Sequence, residues 1–245
     1  LGHKAFEVFR ERFDTYVTFR EPAAQWAGHP LFGRAAPGRV LGEVHAERPD
    51  TLQRALEQVR PDVVLNSVGI VKQRDEAKMA IPSILVNALL PHRLAEQCGA
   101  IGARLFHVST DCVFSGRRGG YTADDLPDPV DVYGRSKLLG ELDRPGCLTL
   151  RTSIVGWELR GKFGLVEWFA AQRHRRIRGY RRAIYTGFST SVLAGLIAML
   201  IEQHPGLSGL YQAASRPINK YDLLTGLRDA LGWNDIEIEP DDAFV

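Results

Sequence analysis

Apolar residues recur along the chain with two alternating periods. Ala5, Val8, Phe9 and Phe13 fall at helical spacing, so residues 3–13 are predicted to form a helix. The stretch 14–20 reads as a strand, and the Pro- and Gly-bearing segment 22–42 as loop with at most a short element. Asp50, with Gln53 three residues on, fits a capped helix start; Leu52, Leu56 and Val59 form the apolar stripe and Pro61 follows the end. Residues 62–66 make a short apolar run bounded by polar residues, the pattern of a strand buried on both faces. A helix follows within 79–98, restarted at Pro91 and stopped at Gly99, and strands at 104–109 and 147–151 flank a helix that carries Tyr133. Helices at 164–175, 190–203 and 220–231 and a strand near 209–213 continue the alternation. Such alternation predicts an α/β fold, a doubly wound parallel sheet with helices on both faces.

Composition narrows the partners. The 245 residues, 44% hydrophobic and 24% charged, suffice for one sizeable core or two small lobes. A formal charge of +2 with scattered signs gives no general affinity for nucleic acid or membrane. The longest apolar runs fall far short of the roughly 18 residues that cross a bilayer. Cys98, Cys112 and Cys147 are odd in number and widely spaced, so neither a disulfide framework nor a metal site is expected, and a reducing, cytoplasmic setting fits. The densest charge run, from Arg173 to Arg182, is too short to argue for nucleic acid; it is predicted to be a solvated helix end with one or two arginines free to meet a diphosphate.

Candidate chemistry centres on Tyr133. It is the one tyrosine of seven with a lysine, Lys137, four residues on, which puts phenol and ammonium on one helix face. A free phenol titrates near ~10, and lowering it by roughly 3 units costs about 4 kcal/mol. An ammonium at ~4 Å in an effective dielectric of ~20 supplies about 4 kcal/mol. Lys137 is therefore expected to tune Tyr133 into a proton donor. In open parallel sheets ligands sit beyond the carboxyl ends of the strands, and Asn66 to Gly69, Ser109 to Asp111 and Arg151 to Gly156 fall at three such ends.

Three ordered segments carry a resemblance: Ser109-Thr-Asp-Cys-Val-Phe-Ser-Gly116, Tyr133-Gly-Arg-Ser-Lys137-Leu-Leu-Gly-Glu141 and Leu150-Arg-Thr-Ser153. Together they resemble the extended short-chain dehydrogenase/reductases, and within them the dTDP-4-dehydrorhamnose reductase group. The resemblance implies a Rossmann-like domain over 1–155 that binds NADP, with NAD as the alternative, and a smaller substrate lobe over 156–245 partly woven into the sheet. It implies a catalytic triad of Thr110, Tyr133 and Lys137 acting on a nucleotide-linked keto sugar, with Asp111, Cys112 and Ile154 near the sugar. Gly2, Arg20, Asn66, Ser67, Gly69, Asn87, Ser109 and Ser153 would join Tyr133 and Lys137 around the cofactor, Asn87 as the helix asparagine that supports the lysine. Gly2 matches the last glycine of the dinucleotide fingerprint, so the first strand and two glycines are expected to precede Leu1 outside this chain, and the end at Asp241–Val245 reads as clipped too. Arg20 stands where an acid would select NAD, which favours NADP.

Cys112 replaces the Glu that nucleotide-sugar dehydratases use for elimination, which argues for plain reduction. An epimerase and a noncatalytic NADP-binding protein similar to the regulatory subunit of methionine adenosyltransferase remain as alternatives. Cys112, Ile154 and the segment 69–73 depart from the usual rhamnose-reductase residues and leave the identity of the keto sugar open. A homodimer is compatible with the sequence.

Overall fold

The computed structural model describes residues 1–243; the last two residues of the stretch read as clipped, Phe244 and Val245, lie outside it. The chain opens with helix α1 (Gly2–Phe9), strand β1 (Val17–Thr18), a single 3-10 turn (Ala23–Trp26), strand β2 (Val40–Leu41), helix α2 (Pro49–Val59) and strand β3 (Val63–Asn66). Next come a short helix α3 (Ala80–Ser83), a π-helical segment (Ile84–Leu89) and helix α4 (Leu90–Ala100), followed by β4 (Arg104–Val108), α5 (Val132–Leu139) and β5 (Cys147–Arg151). The remainder comprises β6 (Ile154–Val155), α6 (Leu165–Ala170), β7 (Arg176–Tyr180), β8 (Ile184–Tyr185), β9 (Phe188–Ser189), α7 (Thr190–Gln203), β10 (Gly209–Gln212), β11 (Ile218–Asn219), α8 (Lys220–Leu231) and β12 (Glu237–Asp241).

These elements form two compact units, one of residues 1–152 and 191–212, the other of residues 153–190 and 213–243. In the first, four parallel strands run in the order β10, β5, β4, β3, and β1 pairs in parallel with β2. The α/β architecture and the parallel sheet are as the alternation predicts. All five residues of β5 are buried, as its central place demands. Strand β3 is only half-buried along Val63, Val64 and Leu65, because it forms the border of the four-stranded sheet and not its middle. Val86, Leu90, Leu94, Ala95, Cys98, Leu105 and Cys147 form the core between sheet and helices. The segment 22–42 gains order from aromatic packing: Phe19 stacks on Trp26 at 3.9 Å, and Phe32 meets Phe6, Phe19 and Trp26.

Helix α2 starts one residue earlier than its pattern suggests. Pro49 occupies the first turn, where its fixed φ and missing N–H cost nothing, and Asp50 is not the cap. Thr51 closes the entry instead, accepting from the His45 N–H at 2.9 Å and donating to the Arg48 carbonyl at 2.7 Å.

In the second unit β12 pairs in parallel with β7 and α8 packs on both, around Phe169, Ile177, Leu224, Ile236 and Ile238. Here the sequence reading needs correction. Helix α6 ends at Ala170, and the centre of the arginine run, Arg176–Tyr180, is strand β7 rather than a solvated helix end. Arg176 is held across the pair by Glu237 at 2.9 Å and Glu239 at 3.0 Å and Arg178 by Asp241 at 3.4 Å, while Arg173 meets Asp235 at 2.7 Å just ahead of the two strands. Opposite charges facing each other across neighbouring strands stabilise the strand register. Trp157 packs edge-on against Trp233, with centroids 6.3 Å apart.

The helix before β4 shows how sequence detail positions α5. Pro91 has no N–H to offer, and the chain passes Ile84–Leu89 as a π-helical turn before restarting as α4. Gly140, at the end of α5, lies directly on the Asn87 carbonyl; a Cβ there would come within 2.0 Å of that oxygen. Helix propensity alone would favour Gly140→Ala by about 1 kcal/mol. Overpacking against main chain outweighs it, so Gly140→Ala is expected to destabilise the protein by about 2 kcal/mol or more, as read from urea unfolding.

Candidate active site

Three parallel strands end at the same edge of the sheet, with Asn66 of β3 beside His107 of β4, and Val108 beside Leu150 of β5. Ser109 and Thr110 therefore stand just beyond β4. Thr110 caps a short 3-10 turn (Asp111–Val113): its hydroxyl oxygen accepts from the Cys112 N–H at 3.1 Å and donates to Asp111 Oδ1 at 3.2 Å. Asp131 caps α5 by accepting from the Gly134 N–H at 2.8 Å, and its other oxygen meets Lys72 at 3.0 Å. Gly134 lies against the Cys112 carbonyl, where a Cβ would approach to 2.3 Å. The first turn of α5 thus rests on the turn after β4, and the Thr110 hydroxyl becomes a hydrogen-bond partner of the Tyr133 phenol.

Lys137, one helical turn on, is buried and donates to the Val108 carbonyl at 2.7 Å. Burial lowers its pKa to about 8, against the field of Glu141. The phenol of Tyr133 is pushed up to about 12, because burial and the nearby Cys112, Asp111 and Asp131 outweigh the bond from Thr110. The expectation that Lys137 by itself tunes the phenol downward is therefore not met. Its ammonium is engaged by the strand end, and the phenol's own surroundings favour the neutral form. Asp111 is open on one side, yet the surrounding protein raises its pKa, as it does that of Cys112.

Other residues singled out in the sequence have defined places. Asn66 accepts from the Val68 N–H at 3.1 Å and pairs with His107 Nδ1 at 3.1 Å, so it shapes the turn beyond β3. Asn87 is fully buried; it accepts from the Ile70 N–H at 2.9 Å and donates to the Ile70 carbonyl at 3.1 Å and to Ser136 Oγ at 3.2 Å. It thereby braces the 69–71 loop and the residue next to Lys137, not the lysine itself. Gly69 lies beside it, a Cβ there falling 3.3 Å from Asn87 Oδ1. Gly2 opens α1 against Ser67, whose Oγ would be 2.8 Å from a Cβ at residue 2. Arg20 is exposed and paired with Glu47 at 3.0 Å. Ser153 and Ile154 belong to the second unit, where Ile154 of β6 pairs with Phe188 of β9.

The sequence reading gave no role to a buried network at the same strand ends. Glu141, two residues past the end of α5, accepts from Ser109 Oγ at 2.7 Å and binds Arg151 with both oxygens, at 2.8 and 2.7 Å. Its signal was the close pairing of one acid and one arginine inside the quoted motifs. His107 is buried as well, and burial with the neighbouring Lys137 charge holds its pKa well below the ordinary value, so its ring is neutral. Among the described residues no group of three His, Cys, Asp or Glu is placed to hold a metal, and no helix is long and apolar enough to cross a membrane.

The family model of the RmlD substrate binding domain matches residues 23–240. The chain belongs to that family. Among its relatives, the dTDP-4-dehydrorhamnose reductase of Mycolicibacterium smegmatis is 31% identical over 198 residues, covering 73% of this chain and 57% of that protein. The methionine adenosyltransferase 2 subunit beta of Rattus norvegicus is 35% identical over 120 residues, covering 47% of this chain and 32% of that protein. The chain thus spans less than two thirds of the length of these curated relatives. A dTDP-4-dehydrorhamnose reductase from Bacillus anthracis, solved in complex with NADP, superposes with a TM-score of 0.72 at 18% identity, covering 94% of this chain and 85% of that one. The fold of this RmlD-family chain is that of the Rossmann-like extended reductases.

The buried ammonium gives a test of the geometry. The folded state holds Lys137 at about 8 against an ordinary 10.5, so it binds fewer protons than the unfolded chain between those values, and stability rises with pH across that window. Below it the cost of the buried charge is fully present. Lys137→Met is expected to raise the unfolding free energy at pH 7 by about 1–3 kcal/mol. The gain should shrink by pH 9.5 in denaturant unfolding.

Proposed function

We propose that this protein reduces a nucleotide-linked 4-keto-6-deoxy sugar, as a dTDP-4-dehydrorhamnose reductase-like enzyme that uses NADP, with NAD as the weaker alternative. The observation that carries the reading is the meeting of Thr110, Tyr133 and a buried Lys137 at the carboxyl end of the sheet. Gly2 fits a dinucleotide, since residue 2 lies on Ser67 where a side chain would fill the space. Gly2, Ser67, Gly69 and Lys137 would hold it. Arg20 would exchange Glu47 for the extra phosphate of NADP. When bound, that cofactor supplies the reducing equivalent.

The chain's own residues perform the remaining work. Tyr133, kept protonated by its surroundings, delivers its proton to the sugar keto oxygen, and Thr110 donates a hydrogen bond to the same oxygen as charge develops on it. Asp111 and Cys112 flank that position. Cys112 is protonated at neutral pH and lacks the carboxylate that elimination would need. A binding-only role is the second reading, favoured by the similarity to the methionine adenosyltransferase subunit.

Full-length protein, NADPH and a panel of 4-keto nucleotide sugars separate the two. Tyr133→Phe is expected to lower kcat by about 10²–10⁴-fold while NADPH binding, read by fluorescence, is retained. NADPH bound without turnover of any sugar by the wild type would replace the reductase with the binding protein.

A further inference from the structure

The residues proposed to react come from two elements that are far apart in the chain: Thr110 follows β4, whereas Tyr133 and Lys137 ride on α5. Something must fix the distance between them. The Lys137 ammonium on the Val108 carbonyl is one tie, and Gly134 against the Cys112 carbonyl is another. The third is a network in which one carboxylate serves three elements. Glu141 leaves the end of α5 at Gly140, receives the Ser109 hydroxyl from the end of β4 and grips Arg151 at the end of β5.

We propose that Glu141 is a positioning residue of the reduction site, one that locks the ends of β4 and β5 to the end of α5 and so sets Thr110 against Tyr133 and Lys137. The inference rests on the reductase reading above. A buried ion pair is weak evidence for stability, because well-packed apolar residues of similar volume serve that end as well. What the pair supplies is direction. Glu141 and Arg151 are 6% and 7% exposed, their contact is bidentate, and the Arg151 guanidinium lies over the Phe114 ring at 5.3 Å, which leaves the carboxylate one orientation. Ser109 directly precedes Thr110, so any slip of Glu141 is passed to the Thr110 hydroxyl through one peptide.

The same carboxylate acts on charge. The titratable groups that act on Lys137 are Glu141, just past its own helix, and neutral His107 from β4; Arg151 from β5 stands behind Glu141, while Asp111 and Cys112 from the turn beyond β4 act on Tyr133. Glu141 is the acid whose field opposes the effect of burial on Lys137. Removing its charge lets the ammonium lose its proton at lower pH.

The test uses full-length Ser109→Ala, which breaks one tie without leaving a buried charge, and the double variant Glu141→Gln/Arg151→Met, which removes both charges together. Unfolding midpoints establish that each is folded. Ser109→Ala is expected to lower kcat by about 3–10-fold and the double variant by about tenfold or more, as misplacement of reacting groups does. The KM for the sugar should stay within about twofold, which separates loss of positioning from loss of binding. In the double variant the alkaline limb of kcat should move down by about half a pH unit or more. Carbon-13 labelling of lysine Cε, with Lys137→Arg to assign the signal, should show the Lys137 midpoint moving the same way. Wild-type kcat in both folded variants, or an unmoved Lys137 midpoint in the double variant, overturns the role of Glu141. Absence of turnover in the wild type overturns the reductase reading instead, and the Lys137 midpoint then decides the role of Glu141 by itself.

Discussion

One buried ammonium fixes the geometry of the first unit. Lys137 reaches the Val108 carbonyl at the end of β4, and that contact ties the helix bearing Tyr133 to the strand that leads into Thr110. A buried cation is costly, and the fold compensates by surrounding it with a strand-end carbonyl, a neutral His107 and the field of Glu141. Everything else at the strand ends follows from where this charge must lie. The capped starts at Thr110 and Asp131 place the two segments, and glycines at 134 and 140 allow α5 to settle onto main chain at both of its ends.

Much of this fold was legible because its elements are written in clean periods. Strands β4 and β5 are short runs with apolar residues at most positions, α7 and α8 carry helical spacing, and their limits follow from the sequence nearly to the residue. The arginine run was misread because charge density drew attention away from alternation: in Arg176-Ile-Arg-Gly-Tyr180 the burial alternates with period two, and the acids that make it a strand lie some sixty residues on, at Glu237 to Asp241. Asp50 was misread because a Pro at the first helical position can start a helix with no side-chain cap.

At the site, identity was legible and electrostatics was not. Spacing alone places Tyr133 and Lys137 on one helix, but it does not say which way the ammonium points. The sign of the shift at Tyr133 depends on burial and on Asp111, Cys112 and Asp131, which come from other parts of the chain. Likewise Asn87 looks from its position like a partner of Lys137, and instead holds the 69–71 loop and Ser136, because the π-helical turn upstream of Pro91 carries it there. Glu141 and Arg151 are silent as single letters and become a network only when β5 lies beside β4.

The raised phenol bears on when the proton moves. With its surroundings as the protein alone provides them, Tyr133 at about 12 carries its proton in all but about one molecule in 10⁵ at pH 7. A group so reluctant to ionise is a weak acid, so it parts with its proton only as the carbonyl oxygen becomes strongly basic, late on its way to an alkoxide. The tyrosinate left behind is a correspondingly strong base, so under the proposed chemistry Tyr133 serves reduction and its reversal along one path, and the balance of reactants sets the direction.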